Sequence, residues 1–478
     1  MKIWKKRALA LTGAAVLVAG TALASSAVTT RTLQAQFSGM RLKVNGQDIA
    51  LTDSKGQPAE PFVIDGTTYV PVRSLGEALG KQVAWDPESN TVSVGLAPME
   101  EDAQALVSII EASHPAFALD MVPEEYEPAR SAFLQTAKQP DITLVDFVLS
   151  AMAYTSSLHD SHTQVSPFGN TPQALLDVNW TAGEGMLKLS DGKEVVAIGG
   201  LPVADLFACI DKYIAYENQA GREHNYAMWS RTVSFINLFG AELQADNTLL
   251  LTLADGSEQS VGWSVPAGEA STVTTQKMGD VLYVDFNQCV LDEALDAAVH
   301  TLADEVAKGT TKVILDVRGN GGGNSAACER LLSAMGMTPP AYGGVVRYSP
   351  LAQSQRGYQQ AEGTQRQAPD LSAARMNPDI HLVVLTDEST FSSATMLAAY
   401  VRDGKLGTLI GRSSGNAPSH YGDILFYQLG NTGLTGTVSH IQWLRPDQNA
   451  QGDALTPDIE TLPGEDGLER ALDFLADL

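Results

Sequence analysis

The chain has 478 residues, more than a single hydrophobic core holds, so two to four domains are expected. A formal charge of −25 and a pI near 4.6 argue against nucleic acid or an anionic membrane as a partner. A hydrophobic content of 44% is that of a globular protein and excludes collagenous or disordered classes. The three cysteines, Cys209, Cys289 and Cys328, are too few and too scattered for a disulfide framework, and none lies in a C-x-x-C pair; each reads as a small buried hydrophobe.

At the N-terminus, Lys2, Lys5, Lys6 and Arg7 precede an apolar stretch from Ala8 to Ala24 that ends Thr-Ala-Leu-Ala. This is the pattern of a secretory signal peptide over residues 1–24. A retained anchor is the alternative, which the short core and its small residues disfavour. The mature chain is expected to start near Ser25 or Val28, outside the cytoplasm or in the cell envelope, with no membrane span left. Residues 38–97 alternate apolar residues with turn signals: Val44-Asn45-Gly46 and Ile64-Asp65-Gly66-Thr67 read as hairpin turns, and a short helix runs from Val72 to Leu79 and ends at Gly80.

Residues 99–170 read as helical, with Ala105, Leu106, Ile109 and Ile110 on one face and Leu144, Phe147, Val148 and Met152 on another. The segment closes on Leu158-His159-Asp160-Ser161-His162-Thr163. Histidines at i and i+3 with no third nearby make a poor ligand set, so no metal is expected. Over 176–270 short strands alternate with glycine; Val195–Gly199 reads as a strand, followed after Pro202 by a helix to about Tyr216 and a helical insertion reaching Leu238. From 278 to 465 the pattern becomes alternating α/β. It holds strands over 281–286, 312–317 and 408–411, helices after Leu291 and Gly323, an irregular stretch over about 340–379, and short strands to Ile459. A final helix spans Gly467–Ala476.

Two turns in the α/β segment carry chemistry. Leu382-Val383-Val384-Leu385 reads as a buried strand, and Phe391-Ser392-Ser393-Ala394 opens a helix in which Met396, Leu397, Tyr400 and Val401 recur at helical spacing. A hydroxyl at a helix entrance sits among unpaired N–H groups at the positive end of the helix dipole, where it can attack a carbonyl while an amide receives the oxyanion. Capping is the plainer use of Ser392 and Ser393. Arg318-Gly319-Asn320-Gly321-Gly322-Gly323 lacks the lysine of a phosphate-binding loop; its glycines suit either a structural turn or an oxyanion hole. Gly411-Arg412-Ser413-Ser414-Gly415 spells a nucleophile elbow, but Asn416-Ala417-Pro418-Ser419 after it is no helix.

Three resemblances follow. Val44-Asn45-Gly46, Asp65-Gly66-x-x-Tyr69-Val70-Pro71-x-Arg73, Ala78-Leu79-Gly80 and Trp85-Asp86 resemble the copper amine oxidase-like N-terminal domain of bacterial exported proteins. No His or Cys stands there to hold copper, and the module reads as an attachment to the cell wall. Ile198-Gly199-Gly200-Leu201-Pro202 resembles the turn of a PDZ-type module, with a plain β-rich spacer as the other reading. Leu315-Asp316-Val317-Arg318-Gly319-Asn320-Gly321-Gly322-Gly323, Phe391-Ser392-Ser393-Ala394, Tyr421-Gly422 and Thr456-Pro457-Asp458-Ile459, in that order, resemble the C-terminal processing (tail-specific) serine peptidases.

That resemblance implies a crotonase-like α/β core, Ser392 as nucleophile, and an oxyanion hole from the amides of Ser393 and Gly322, with no metal or organic cofactor. The family's lysine is missing, since the corresponding segment is Ser414-Gly415-Asn416-Ala417-Pro418. Asp160-Ser161-His162-Thr163 resembles the tricorn-like branch, which implies His162 as base, Ser161 as its tetrad partner, and an orienting residue at Gln451 or Asp453. A peptide or protein substrate is implied. An inactive homologue that binds envelope peptides or polymers is the alternative, and an esterase shares the same acyl chemistry.

Overall fold

The computed structural model describes residues 31–478 apart from 54, 82, 87–90, 170, 267–270, 451 and 463, so the expected leader over 1–24 and Gln451 lie outside the described residues. The chain divides into two units, at Gly95 and Leu96. In the first, Leu42–Val44 pairs with Gln47–Ile49, Phe62–Ile64 with Thr67–Tyr69, and Val83–Asp86 with Thr91–Val94. The first two turns put Asn45-Gly46 and Asp65-Gly66 at positive φ on both residues, as a type I′ turn requires. The helix between the second and third hairpins spans Val72–Ala78.

The second unit is built on a six-stranded sheet in the order Val273–Met278, Val281–Phe286, Lys312–Asp316, His381–Thr386, Thr408–Gly411, Ile459–Glu460. The first pair is antiparallel and the other four pairings are parallel. The continuous apolar runs of these strands have a cause in the packing, since both faces are covered. Leu282, Val284, Val313, Leu315, Leu382, Val384 and Leu409 face helices Glu293–Ala307, Ser325–Ala334 and Ser393–Asp403. Ile314, Val383, Leu385 and Ile410 turn to the other side and meet Ala471 and Leu475 of helix Gly467–Ala476.

A second, antiparallel sheet buries Leu425, Tyr427 and Val438 in one cluster with Leu106, Ile110 and Met152. Thr364–Gln367, Gly343–Arg347, Thr435–Leu444 and Tyr421–Gln428 pair in that order, and the short strand Gln164–Ser166 joins the edge of Thr435–Leu444. The stretch expected to be irregular over 340–379 thus holds two strands and the helix Pro350–Arg356. Its signal was weak because Gly343-Gly344 opens the first strand where neighbouring backbone leaves no space. A Cβ on Gly343 would meet the nitrogen of Pro369 at 2.5 Å. Helices Pro98–Ser113, Tyr126–Thr136 and Leu144–Ser156 form the helical layer. Residues 175–264 form a seven-stranded antiparallel sheet with helices Val203–Tyr213, Gln219–Arg231 and Val233–Leu238. The helix expected to reach Tyr216 stops at Tyr213, so residues 215–218 form a loop between two helices. Among the described residues no helix is long and apolar enough to cross a membrane.

Candidate active site

Two parallel strands end side by side, and their exits make the site. The strand ending at Asp316 leads into the glycine turn, and the strand ending at Thr386 leads into Ser392. Crevices at the carboxyl ends of parallel strands are where open α/β sheets place their ligands. Ser392 stands immediately before helix Ser393–Asp403 with φ 54° and ψ −123°, a conformation that a non-glycine residue adopts only when its surroundings hold it. Those surroundings are specific. Its amide donates to Asn416 Oδ1 at 2.9 Å, its hydroxyl makes no capping bond, and Phe391 N donates to the carbonyl of Asn320 at 2.9 Å.

The glycine turn is moulded to the serine. Gly322 has φ +95°, and a Cβ there would lie 2.6 Å from Ser392 Cβ and 2.8 Å from the carbonyl oxygen of Phe391. Asn320, fully buried, ties the turn together by donating from Nδ2 to the Phe286 carbonyl and accepting the Gly322 amide on Oδ1 at 2.8 Å. The Gly322 N–H expected to meet an oxyanion is therefore committed to Asn320. The amides of Gly321 and Gly323 have no partner among the described residues, and neither has that of Ser393, the first residue of its helix. Gly322→Ala is expected to cost about 1–3 kcal/mol by overpacking. In protein that keeps its far-UV circular dichroism, it should also reduce labelling by a serine-reactive probe at least tenfold.

His162 reaches this site across the second sheet. Pairing of Gln164 with Thr437 brings the 158–163 loop over the glycine turn, and Thr437 Oγ1 donates to the His162 carbonyl at 2.7 Å. His162 and Ser161 line one cleft of about 650 Å³ with Gly321, Gly322, Gly323, Phe391 and Ser392. The imidazole packs between Phe391, centroids 4.6 Å apart, and His420, 5.5 Å apart and nearly parallel. It is 9% exposed, and neither ring nitrogen makes a hydrogen bond. Ser161 is placed differently: its hydroxyl lies 3.4 Å from the carbonyl of Ala215, and its amide faces Glu217 Oε1.

Two carboxylates stand at His162 Nδ1, Asp160 Oδ1 at 3.7 Å and Glu217 Oε1 at 3.9 Å. Neither was singled out as an acid in the sequence. Asp160 is fully buried; Oδ1 accepts the His162 amide, and Oδ2 accepts Thr163 Oγ1, Ser439 Oγ and His114 Nε2. Because His114 Nδ1 accepts the Ala116 amide, the proton of that ring is on Nε2 and points at Asp160. Burial opposes ionisation of Asp160, yet the hydrogen bond from His114 and the closeness of His162 hold its carboxyl well below the usual value. Glu217 comes from the loop between two helices, and its Oε2 accepts from Asn416 Nδ2 at 2.6 Å and the Ala417 amide at 3.0 Å. Burial pushes its carboxyl up to about 7; nearby His162 works against that rise and Asp160 adds to it.

Asp453, one of the two residues expected to orient the base, is exposed and offers only its carbonyl, which receives Asn218 Nδ2 at 3.0 Å. Asn218 is the neighbour of Glu217, so the expected segment packs beside the acid without supplying it. Asn416 stands in the segment where a lysine was sought, and it joins the Ser392 amide to Glu217. Among the described residues no lysine lines the cleft, and Lys405 is exposed. His420 is buried; burial, then the nearby His162, push its pKa to about 3, and its Nδ1–H donates to the Ala417 carbonyl. A second cavity of about 480 Å³ abuts the cleft through Ser161, Gln164, Gly321 and Phe391, and is lined on its apolar side by Met152, Val165, Ile214, Met228 and Trp229.

Residues 279–461 match the family model of peptidase family S41, and residues 13–97 match that of the copper amine oxidase N-terminal domain. None of the curated proteins compared with the chain matches it. Among solved structures, mature CPAF complexed with lactacystin superposes with a TM-score of 0.55 at 14% identity, covering 79% of this chain and 97% of that one. Mature CPAF without that compound gives 0.54 at 13% identity, covering 79% and 96%. The photosystem II D1 C-terminal processing protease gives 0.46 at 12% identity, covering 77% and 94%. At these identities the CPAF structures establish a shared mixed α/β fold.

Proposed function

We propose that this chain, whose residues 279–461 match the family model of peptidase family S41, is an exported serine peptidase working through an acyl-enzyme. The observation that carries the reading is the convergence of His162, the strained Ser392 and the glycine turn on one cleft, from segments some 230 residues apart. Ser392 Oγ attacks the peptide carbonyl carbon while His162 takes its proton. The oxyanion is received by the Ser393 amide and a free amide of the glycine turn, that of Gly323 or Gly321. His162 then protonates the leaving amine, and water hydrolyses the ester by the same base. Asp160 and Glu217, both within 4 Å of Nδ1, stabilise the imidazolium by their charge, the part a carboxylate plays in other serine hydrolases. The abutting apolar cavity gives a side chain beside the scissile bond a place to enter. Export rests on the basic and apolar pattern of residues 1–24, and attachment to the envelope on the module matched by residues 13–97.

One observation favours a second reading, an envelope protein that binds peptides without cleaving them: neither nitrogen of His162 hydrogen-bonds to Ser392. Incubating the full chain with a fluorophosphonate and mapping the adduct by mass spectrometry separates the two. A single adduct on the peptide containing Ser392 is expected. Folded protein that takes up no probe would leave the binding protein as the better account.

A further inference from the structure

The arrangement around His162 Nδ1 satisfies a second chemistry besides stabilising an imidazolium. One ligand atom each from Asp160, His162 and Glu217 lies within 4.8 Å of the others, with Nδ1 at 3.7 Å from Asp160 Oδ1 and 3.9 Å from Glu217 Oε1. Those separations are too long for hydrogen bonds. Ligands about 2.1 Å from a tetrahedral zinc ion lie about 3.4 Å apart, so the two pairs at Nδ1 need close in by a few tenths of an ångström, and the two carboxylates come together from a separation of at most 4.8 Å.

The remaining valences of the two carboxylates point the same way. On Asp160, Oδ2 is saturated by His114, Thr163 and Ser439, while Oδ1 takes only the His162 amide. On Glu217, Oε2 holds Asn416 and Ala417, while Oε1 takes only the long contact from the Ser161 amide. Each carboxylate thus keeps one oxygen in hand, and both of those oxygens face the imidazole. The ring is more than nine-tenths buried, and Nδ1 and Nε2 are both unpartnered, which is costly for a buried polar group and is relieved by a proton donor or a cation. A pair of histidines at i and i+3 would not make such a set; His162 acquires its co-ligands from residue 160 and from a loop 55 positions on. One imidazole with two carboxylates suits a first-row divalent ion of the zinc type, and the cleft that His162 and Ser161 line gives it a way in.

We propose that Asp160 Oδ1, His162 Nδ1 and Glu217 Oε1 bind one divalent zinc-type ion, and that the ion switches the hydrolase off by holding the base in place. This rests on the serine reading of the same residues. A metal ion on Nδ1 competes with the carboxylates' hold on the ring and opposes the positive charge that His162 must take up from Ser392.

The test titrates the metal-stripped full chain with zinc chloride alone, following binding by competition with a chromogenic chelator and following Ser392 labelling by fluorophosphonate in parallel. One ion per chain is expected. Labelling should fall at least tenfold at saturation and return on adding a chelator, and affinity should drop at least tenfold in both His162→Ala and Glu217→Gln. Cobalt(II) in place of zinc should give the intense visible absorption of a four-coordinate site in the unmutated protein, a readout that needs no variant to fold. Absence of saturable binding, binding unchanged in His162→Ala, or labelling that increases with zinc would overturn the proposal. If metal-free protein is labelled and zinc does not bind, the serine reading stands alone. If zinc binds as described and no state is labelled, the site assignment stands and the inhibition falls with the serine reading.

Discussion

Replacing Ser392 by alanine, or His162 by alanine, is expected to lower kcat for peptide cleavage on the order of 10⁴- to 10⁶-fold, and the double variant should be no worse than either alone. Nucleophile and base act as one unit, so removing the second costs nothing once the first is gone. What persists is the contribution of binding and of the amides at Ser393 and the glycine turn, which neither substitution touches. Steady-state kinetics on the four proteins decide it, and additive losses would mean that the two residues serve different ends. Glu217→Gln belongs to the same experiment. Glutamine keeps an acceptor for Asn416 and Ala417 but cannot ionise, and a neutral neighbour stabilises an imidazolium poorly, so a loss on the order of 10²- to 10⁴-fold is expected. The sign of its pH dependence follows from the carboxyl being held up to about 7. Below that value Glu217 is protonated and resembles the glutamine. Above it the charge is present and assists the base. The ratio of wild-type to Glu217→Gln kcat/KM should therefore widen as pH rises through 7, and a ratio independent of pH would remove Glu217 from the mechanism.

The α/β half of the chain was readable because its strands are covered on both faces. Leu382 to Leu385 and Lys312 to Asp316 carry a signal strong enough to set strand, turn and helix in order, and both chemical turns fall at those exits. Asn-Gly and Asp-Gly likewise fixed two hairpins in the N-terminal unit. Pairing of Gln164 with Thr437 left no comparable mark, since a three-residue edge strand has too little pattern to name its partner. His162 could be proposed only through the resemblance carried by the residues around it. Glu217 was beyond reach for a physical reason. Its role depends on a loop between two helices burying against Asn416 and Ala417, and nothing in Ala215-Tyr216-Glu217-Asn218 distinguishes a buried acid from a solvated one. The segment around Asp453 is the right neighbourhood for an acid, because its carbonyl packs on Asn218, but a carbonyl cannot replace the charge. Nothing in the sequence sets Asp160 apart from the motif around it, although it binds more partners than any other carboxylate at the site.

That density of partners makes Asp160→Asn the second large effect. His114 closes helix Pro98–Ser113, Thr163 and the His162 amide belong to the loop after helix Leu144–Ser156, and Ser439 lies in strand Thr435–Leu444; all four donate to this one carboxylate. Asparagine offers one acceptor oxygen and turns two N–H donors toward groups that already donate. At least two buried donors are then unsatisfied, and the substitution is expected to cost about 3–5 kcal/mol, the range for breaking a buried charged pair. Denaturant unfolding should show the midpoint shifted down, whereas Asp191→Asn, at a surface pair with Lys193, should leave it in place. The acid limb gives an independent check. The folded pKa of Asp160 lies below its ordinary value of 3.8, so the stability it contributes is fully present above that value and is lost as pH falls toward the folded one. Wild type should therefore lose stability more steeply than Asp160→Asn below about pH 4, and the gap between the two proteins should narrow with acid. Parallel acid limbs would show that the junction is held by packing alone, in which case His162 is carried into the cleft by the strand pairing at Thr437 without help from the charge beneath it.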